Sequence, residues 1–535
     1  MATTDTKAEK VQRAYKYAQS LRAPHEENIR LAYRYVQPAR EFMKVEDSKP
    51  DKKQLYDSTS TFAVRQLVNH VIDLLVPQNR QWARVVLANK KLKQSLESAL
   101  ATQLVEWNDG LNRHFLKSNF YLALTESMYD AIIAGTACVA IYDEIGKPIE
   151  YMSIPIDQIF FTQDYRGKVD QVFRRSELTG RQLQGRFGSK LPKDCADTCE
   201  ESPEKKFPIV ECVTPEDGNF CYCVFLEQSW DLIEEKDSPF NPFVVWRWEK
   251  VLAETWGTSP VRDALPDIVS LNIMERDLMK AGNFAADPCY QVSDDVMNID
   301  NVRNNVKPGG VVVVPATAEL KLLPQGSNFP ITLEIIQERR ARLMDMLYAN
   351  SLGMNPVKNT YMTAEEVGFR KQLFYSQAGQ PARRLESELL KPIVLQVFNR
   401  ELLRGELEPL TPQYVQALNV GARTMSDIIT VDTDAAINRA IKQSEAQSNL
   451  QAIVAITQAL GGQLQLVSKQ IDFDKTVRSA AEGFSLSPDL LRTPKEIAEL
   501  EKQLAQQQMM QLQMGIAAQQ AKQNPQPQPN PTGAA

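Results

Sequence analysis

The sequence has 535 residues, well above the roughly 250–300 residues at which one hydrophobic core stops growing, so a small single-domain binding module is excluded and several domains are expected. Its 61 Lys and Arg against 67 Asp and Glu give a formal net charge of -6, and 43% hydrophobic with 24% charged residues is ordinary for a soluble globular protein. This balance excludes a basic protein that wraps nucleic acid, so any nucleic-acid contact is expected to be local or weak.

Apolar residues at three- and four-residue spacing predict helices over the first 134 residues. The pattern predicts a pair of amphipathic helices over 7–36 separated at Pro24, a second helical stretch over 58–75, and a third over 91–134. The longest apolar run, 131–142, is shorter than the roughly 20 residues that a membrane-spanning helix needs, so we expect a buried core segment there and no membrane association.

From residue 138 the pattern changes to short strands. We expect a β-meander over 138–175, with a turn at 164–167 and a helix beginning near Thr179. The polar segment 193–206 is expected to be a loop, and strands are predicted again at 209–214, 220–228 and 242–249. The chain up to residue 250 is therefore predicted to be α+β.

Two long helices are predicted after residue 258. Ser259 followed by Pro260 is a typical helix start, and the apolar spacing continues to about residue 286, with a kink expected at Pro266. A second helix is predicted over 332–348, and turn residues with a short strand between them predict a compact β-containing insertion over 287–330. The pattern indicates a helical hairpin that carries a small tip domain.

The remaining chain is predicted to be mostly helical. A helix-free stretch, 350–362, precedes a capping box at Thr363 that starts a helix, which has breaks at 379–381 and Pro392 and ends at Gly405. The last 130 residues are nearly all helical in pattern, and the Gln- and Pro-rich end, 503–535, is expected to be disordered.

The sequence gives no positive evidence for an enzyme. It has no G-x-x-x-x-G-K-[ST] phosphate loop, so an ATPase of the P-loop kind is not supported. None of the three histidines, His25, His70 and His114, is followed by a second metal-binding residue four positions later, so a zinc peptidase and a His-based catalytic triad are poorly supported. His70 is interpreted as a satisfied core histidine. We assign no catalytic residue and expect no cofactor.

The cysteines are interpreted as ordinary reduced thiols. Seven is an odd number, and the first ten residues lack the pattern of a signal peptide, so we expect free thiols in a reducing cytosol. Cys195 and Cys199 with Cys221 and Cys223 could supply four thiolates to zinc, but residues two apart in a strand do not chelate as a knuckle does, and the other two lie in the acidic segment expected to be a loop. No metal site is therefore assigned.

Several motifs, in chain order, resemble those of phage portal proteins, the head-to-tail connectors of short-tailed phages. They are found at 164–174 (D-x-x-G-x-V-D-x-V-x-R), 242–248 (PFVVWRW), 254–268 (ETWGTSPVRDALPDI), 271–272 (LN), 285–288 (AADP), 362–367 (MTAxEV), 383–385 (R-x-L) and 390–393 (L-x-PI). The resemblance covers roughly residues 10–430, and the order of the motifs is more specific than any one of them.

The resemblance implies a mainly helical α+β subunit of a ring, normally of twelve copies, at one capsid vertex. Its implied parts are a β-rich wing, a stem of two helices, a small α/β clip and a helical crown. The wing would be 1–257 with 363–434, the stem helices 258–286 and 331–349, the clip 287–330, the tunnel loop 350–362, the crown 435–502 and the tail 503–535.

The resemblance also implies partners and a site. The ring would conduct double-stranded DNA, driven by the large subunit of a separate terminase, and would contact the major capsid, scaffolding and tail adaptor proteins in the virion, after assembly in the host cytoplasm. Charges between 331 and 370 balance, which would let DNA slide. In the tunnel loop Lys358 is the residue expected to contact DNA, and Asn355, Asn359 and Tyr361 are able to touch phosphates or water. In the stem, the candidates for charges that face the channel are Arg339, Arg340 and Arg342.

Two other classes of function remain open on the sequence. A helical scaffold or adaptor could bind partners through the Gln- and Met-rich C-terminus. A hydrolase with an unrecognised carboxylate site is suggested only by chain length and acidic content.

Overall fold

The computed structural model describes most of the chain up to residue 409 and short stretches beyond it. It forms two compact units, Met1–Ile437 and Asn438–Ala535, and in the second only a helix over 446–455 and a few single positions are described. The described residues are 6–40, 55–78, 81–88, 90–144, 146–216, 218–286, 290–292, 320–322, 329–349, 376, 378–409, 429–433, 446–455, 458, 476, 477 and 480.

The N-terminal residues form one helix, α1 (Lys7–Val36), which starts at a capping box of Thr6 and Glu9 and contains Pro24. The expected pair of helices is therefore wrong. Burial explains the continuity, since Ala18 before the proline and Ile29 after it are both fully buried, and such packing offsets the roughly 3 kcal/mol that an internal proline costs.

Helix α2 (Thr59–Leu75) agrees with the sequence pattern, but the predicted third helix is two helices, α3 (Lys90–Lys117) and α4 (Phe120–Ala134). The break is at Asn119, whose side-chain amide accepts a hydrogen bond from Tyr151 N at 2.9 Å and donates one to Tyr151 O at 2.8 Å. His70 in α2 is half-buried, not a core residue, because its position falls at the edge of the apolar stripe.

A three-stranded sheet packs after α4 in the core of the first unit. Gly135, in the left-handed conformation with φ of 87°, ends the helix, and the predicted core segment continues as a buried strand. The sheet has the antiparallel order β3-β2-β9, formed by β2 (Thr136–Tyr142), β3 (Glu150–Ile154) and β9 (Phe243–Arg247).

A second sheet is a five-stranded antiparallel meander. Its strands are β4 (Ile159–Gln163), β5 (Val169–Thr179), β6 (Lys206–Glu216), β7 (Asn219–Leu226) and β8 (Leu232–Ser238). The meander predicted over 138–175 is thus divided between two sheets, because the turn at 155–158 separates β3 from β4. Sequence reasoning missed β8, a polar edge strand with little apolar pattern to detect.

Two short helices lie between β5 and β6. Thr179 and Gln182 form the capping box of α5 (Gly180–Phe187), and α6 (Lys193–Glu201) follows. The loop expected over 193–206 is therefore wrong for most of its length. Cys195 and Cys199 lie one helical turn apart, and both are buried in a small apolar cluster with Leu183, which gives this polar segment a core-facing side.

The predicted long helices are present as α7 (Pro260–Ala286), which contains Pro266, and α8 (Phe329–Met346). The two-residue strands β10 (Glu249–Lys250) and β11 (Gly257–Thr258) pair just before α7. Between the long helices, β12 (Tyr290–Val292) pairs antiparallel with β13 (Leu320–Leu322), as expected for a β-containing insertion; the strand predicted at 311–314 lies outside the described residues.

The last helical run of the first unit is α9 (Gly379–Leu385), a π-helical turn (Glu386–Leu390) and α10 (Lys391–Arg404). The break expected at Pro392 is wrong, because the wider π-helical turn accommodates the proline ring and its missing N–H without ending the helix. Gly405, at φ of 75°, ends α10 as predicted.

A further strand, β14 (Ile429–Thr433), pairs antiparallel with β1 (Ala83–Leu87). It corrects the expectation that the last 130 residues are nearly all helical, and sequence reasoning missed both strands. The tail 503–535 lies outside the described residues. None of the described helices combines the length and apolar character needed to cross a membrane.

Candidate functional site: the long helix pair and its anchor

The paired helices α7 and α8 differ in burial along their length. In α7 the residues Val261, Ala264, Ile268 and Leu271 are buried, whereas no residue between 273 and 283 is buried. Since 27 residues of α-helix extend about 40 Å, a long part of α7 lies outside the core of its own subunit.

The outer part of the helix pair exposes large apolar side chains. Ile273 is 41% exposed and Met279 55% on α7, and on α8 Ile331 is 53%, Leu333 45% and Ile335 37% exposed. Clustered apolar exposure of this kind marks a surface that another protein covers.

Ion pairs join the inner parts of the two helices. Arg339 Nη1 lies 3.0 Å from Asp267 Oδ1, and Arg342 Nε lies 3.6 Å from Asp267 Oδ2. One carboxylate of α7 therefore neutralises two guanidinium groups of α8 in part, and Asp267 itself is largely shielded from solvent.

A second cluster ties the helix pair to the segment before α2. Arg340 donates to Asp57 Oδ2 at 2.7 and 3.0 Å and is also paired with Glu275. The buried side chain of Asn272 accepts hydrogen bonds from Tyr56 N at 2.7 Å and Asp57 N at 3.3 Å. These contacts fix the orientation of α7 and α8 relative to the body of the subunit.

The start of α7 is held by buried polar groups. Ser259 Oγ accepts a hydrogen bond from Arg262 N at 3.1 Å and donates one to Ile133 O at 3.0 Å, which confirms Ser259 as the predicted helix cap. Arg262 Nη2 lies 3.1 Å from His25 Nδ1. Burial, with the Arg262 charge, lowers the pKa of His25 below its ordinary value, so this imidazole is neutral at pH 7.

The backbone approaches itself closely just before this cap. A Cβ atom on Gly257 would lie 2.0 Å from Gly135 O, and one on Gly135 would lie 2.5 Å from Gly257 O. Both positions therefore require glycine, and they lock the start of α7 against the end of α4.

A buried arginine joins the chain before the helix pair to the chain after it. Arg247 of β9 is 2% exposed and donates to both carboxylate oxygens of Glu388, at 3.1 and 2.9 Å. Its guanidinium also donates to Thr255 O at 3.2 Å and Gly167 O at 3.0 Å. Arg384 binds the same carboxylate at 2.6 Å.

The residues predicted from the sequence fall into two groups. Arg339, Arg340 and Arg342 lie on α8, each within reach of a carboxylate of the same chain, and whether they face a channel stays a prediction. The four predicted tunnel-loop residues, Asn355, Lys358, Asn359 and Tyr361, lie outside the described residues.

Sequence reasoning missed the groups that anchor the helix pair: Asp57, Asn272, Arg247 and Glu388. Two of them, Arg247 and Asn272, stand inside motifs noted above, which was the available signal; the other two stand in polar stretches that carry none.

The structure separates the four cysteines considered for zinc. Cys195 and Cys199 lie in one apolar cluster and Cys221 and Cys223 in another. Cys221, Cys223 and Glu235 do place ligand atoms within 4.8 Å of one another, but Lys7 Nζ lies 3.1 Å from Cys221 Sγ and also binds Glu235. Burial raises the pKa of Cys221 to about 11, so this group is a neutral thiol with an ammonium group at the place a metal would take.

Comparison with known proteins gives one family over most of the chain. The model of the family described as "Bacteriophage head to tail connecting protein" matches residues 8–491. The chain is 25% identical over 484 residues to the "Probable portal protein" of Bordetella phage BPP-1, covering 85% of this chain and 82% of that protein. It is 21% identical over 481 residues to the "Portal protein" of Salmonella phage epsilon15, covering 85% and 83%.

Among solved structures, a chain from the "Neck of empty GTA particle computed with C6 symmetry" is similar at 10% identity and a TM-score of 0.36, covering 74% of this chain and 86% of that one. So low a score supports no argument about fold or function.

Proposed function

The chain belongs to the family of bacteriophage head-to-tail connecting proteins, and from that premise we propose that it is the portal subunit of a phage capsid. Copies of the chain assemble into a ring at one vertex. The ring is the passage through which DNA enters during packaging and leaves during ejection, and it is the attachment point of the tail.

The exposed apolar end of the helix pair carries the proposal of a ring. In a ring, α7 and α8 of one subunit pack against those of the next, so the exposed apolar side chains of the pair are covered by a neighbouring copy. Full burial of a Leu or Ile side chain stabilises by about 1.5–3 kcal/mol, so the five exposed apolar residues give each interface several kcal/mol.

The proposed parts of the subunit are those that the resemblance implies. Helices α7 and α8 form the stem within 258–286 and 331–349, and the segment 287–330 with the β12–β13 ladder forms the clip. The wing comprises 1–257 and 363–434, which the Arg247–Glu388 pair joins. Residues 350–362 form the tunnel loop, 435–502 the crown and 503–535 the tail.

The subunit is a conduit and not an enzyme in this proposal. The large subunit of a separate terminase supplies the ATPase that drives the DNA. The pairing of Arg339, Arg340 and Arg342 with acidic groups supports a nearly neutral stem, since tight phosphate binding along the whole channel would slow the passage of DNA.

The proposed partners are those of a portal vertex. The ring, normally of twelve copies, contacts the major capsid and scaffolding proteins on the capsid side and tail adaptor proteins on the other. Its place is the virion, and before that the cytoplasm of the infected host.

Electron microscopy of the purified protein tests the proposal. We expect rings with a central hole, and we expect Ile331→Asp to abolish them because the charge repeats at every interface of the ring. Leu252→Asp, at a loop position that is 95% exposed and outside the helix pair, is the matched control and should leave the rings intact. A wild-type protein that stays monomeric under all conditions would contradict the proposal.

A further inference from the structure

A cationic groove lies beside the Arg247–Glu388 pair in the first unit. An open cavity of about 550 Å³ is lined by the 166–169 turn, strand β9 and the π-helical turn with α10, and a second open cavity of about 340 Å³ adjoins it between β10 and α9. Lys250, Arg384 and Ser387 line both cavities. Each cavity is in the size range of small-ligand sites.

The groove carries an excess of positive charge. Arg166, Lys168, Lys250, Arg383 and Arg384 line it, and so does the edge of Arg247. The acidic residues at its lining are Glu388, which Arg247 and Arg384 already bind, and Glu249. Within the described part of the chain, no carboxylate lies in ion-pair distance of Arg166, Lys168, Lys250 or Arg383.

The central cation of the groove is held in place by the fold. Lys250 Nζ donates to Gln163 Oε1 at 2.8 Å and lies directly over Gly167, where a Cβ atom would come within 2.7 Å of the ammonium group. Gly167 has φ of 78°, which favours glycine, and the absence of a side chain also leaves room for the Lys250 ammonium group. Burial, followed by the charges of Arg247 and Arg384, lowers the pKa of Lys250, as expected for a cation among cations.

We propose that this groove binds phosphate groups, through the exposed cations Arg166, Lys168 and Arg383 around the fixed Lys250. With a net charge of -6, the chain as a whole does not attract polyanions. The cations concentrated along the two adjoining cavities provide a local attraction for them. Guanidinium and ammonium donors are the usual protein contacts of phosphate oxygens. The chemistry fits either the backbone of nucleic acid or free phosphate; under the proposed portal function, the backbone of the passing DNA is the expected source.

The test compares two charge-matched double variants of the full-length protein. Lys168→Gln with Arg383→Gln removes two exposed cations of the groove, and Lys10→Gln with Lys117→Gln removes two exposed cations elsewhere in the same unit. Fluorescence anisotropy of a labelled DNA duplex over a salt series is measured for each protein. Inorganic phosphate, against chloride at equal ionic strength, is the competitor.

The groove variant should bind the duplex about tenfold or more weakly at low salt, and the slope of log affinity against log salt should fall by about 0.9 for each lost phosphate contact. The control variant should behave like the wild type. Isothermal titration of the same proteins with inorganic phosphate tests the other source: a groove variant that binds the duplex like the wild type but loses phosphate binding would assign the site to free phosphate.

Equal losses in both variants would overturn the proposal, because net charge alone would then explain them. A groove variant that binds DNA like the wild type but no longer forms rings would also overturn the proposal. The groove would then bind acidic groups of a neighbouring copy in the ring. Electron microscopy of the same samples distinguishes failure of the groove proposal from failure of the portal proposal. If the wild type forms rings but the groove substitutions do not weaken phosphate or DNA binding, only the groove proposal is contradicted.

Discussion

The Arg247–Glu388 pair should stabilise the subunit far more than an equally well-formed pair at the surface. Arg247→Met removes a guanidinium that is 2% exposed and leaves the Glu388 carboxylate and the carbonyls of Thr255 and Gly167 without this donor. Breaking a buried ion pair on one side costs about 3–5 kcal/mol. Because Arg384 still binds Glu388, which is 18% exposed, we expect the lower end, about 3 kcal/mol.

The same chain offers a matched control. Arg175 also binds one carboxylate with two contacts, to Glu227 at 3.0 and 2.7 Å, but its side chain is 39% exposed. Pairs of this kind contribute about 0–1 kcal/mol, so Arg175→Met should be nearly neutral. Urea unfolding at fixed protein concentration, followed by tryptophan fluorescence, compares the two variants.

Three of the six tryptophans, Trp246, Trp248 and Trp256, lie in the segment around Arg247, so the fluorescence reports the affected region. A double-mutant cycle with Glu388→Gln isolates the pair itself. An Arg247→Met variant that costs no more than Arg175→Met would refute the reasoning, because burial would then not decide the contribution of the pair.

Three further predictions concern the start and the anchor of α7. Gly257→Ala should destabilise the protein by about 1–3 kcal/mol in thermal unfolding, because the added Cβ would lie 2.0 Å from Gly135 O. The control is Gly282→Ala, in an open part of α7, which should stabilise the protein by about 0.5–1 kcal/mol. Similar effects at both positions would contradict the close contact. Asn272→Ala should lower the free energy of unfolding by about 1–3 kcal/mol and speed hydrogen exchange at Tyr56 N, because the acceptor of that amide is removed. Asn272→Asp keeps an acceptor oxygen and should leave the amide protected. Equal exchange in both variants would show that Asn272 does not hold the segment before α2. The pKa of His25 is lower in the folded protein than in the unfolded chain, where it is about 6.5. The stability that the neutral imidazole contributes is therefore present above about pH 6.5 and is lost as pH falls through the folded pKa. His25→Gln should make the loss of stability between about pH 7 and pH 5 less steep, and an unchanged slope would contradict this.

The sequence was informative where one local pattern decides the structure. The period of the apolar residues located α2, α7 and α8, the Ser259–Pro260 pair located the start of α7, and Gly405 located the end of α10. The polar segment around Cys195 and the proline at 24 misled, because burial against distant residues outweighed local preference there. The ordered motifs pointed to the family that the comparisons show.

By itself, then, the sequence determined the α+β class, the two long helices with an insertion between them, and the family. Only the tertiary structure decided which residues hold those helices and which side chains surround the cationic groove. Arg247 and Glu388 are 141 residues apart, and Asp57 and Arg340 are 283 apart. A local pattern shows which face of an element is apolar, but it does not show which distant element covers that face, because packing and charge select that partner from the whole chain as it folds.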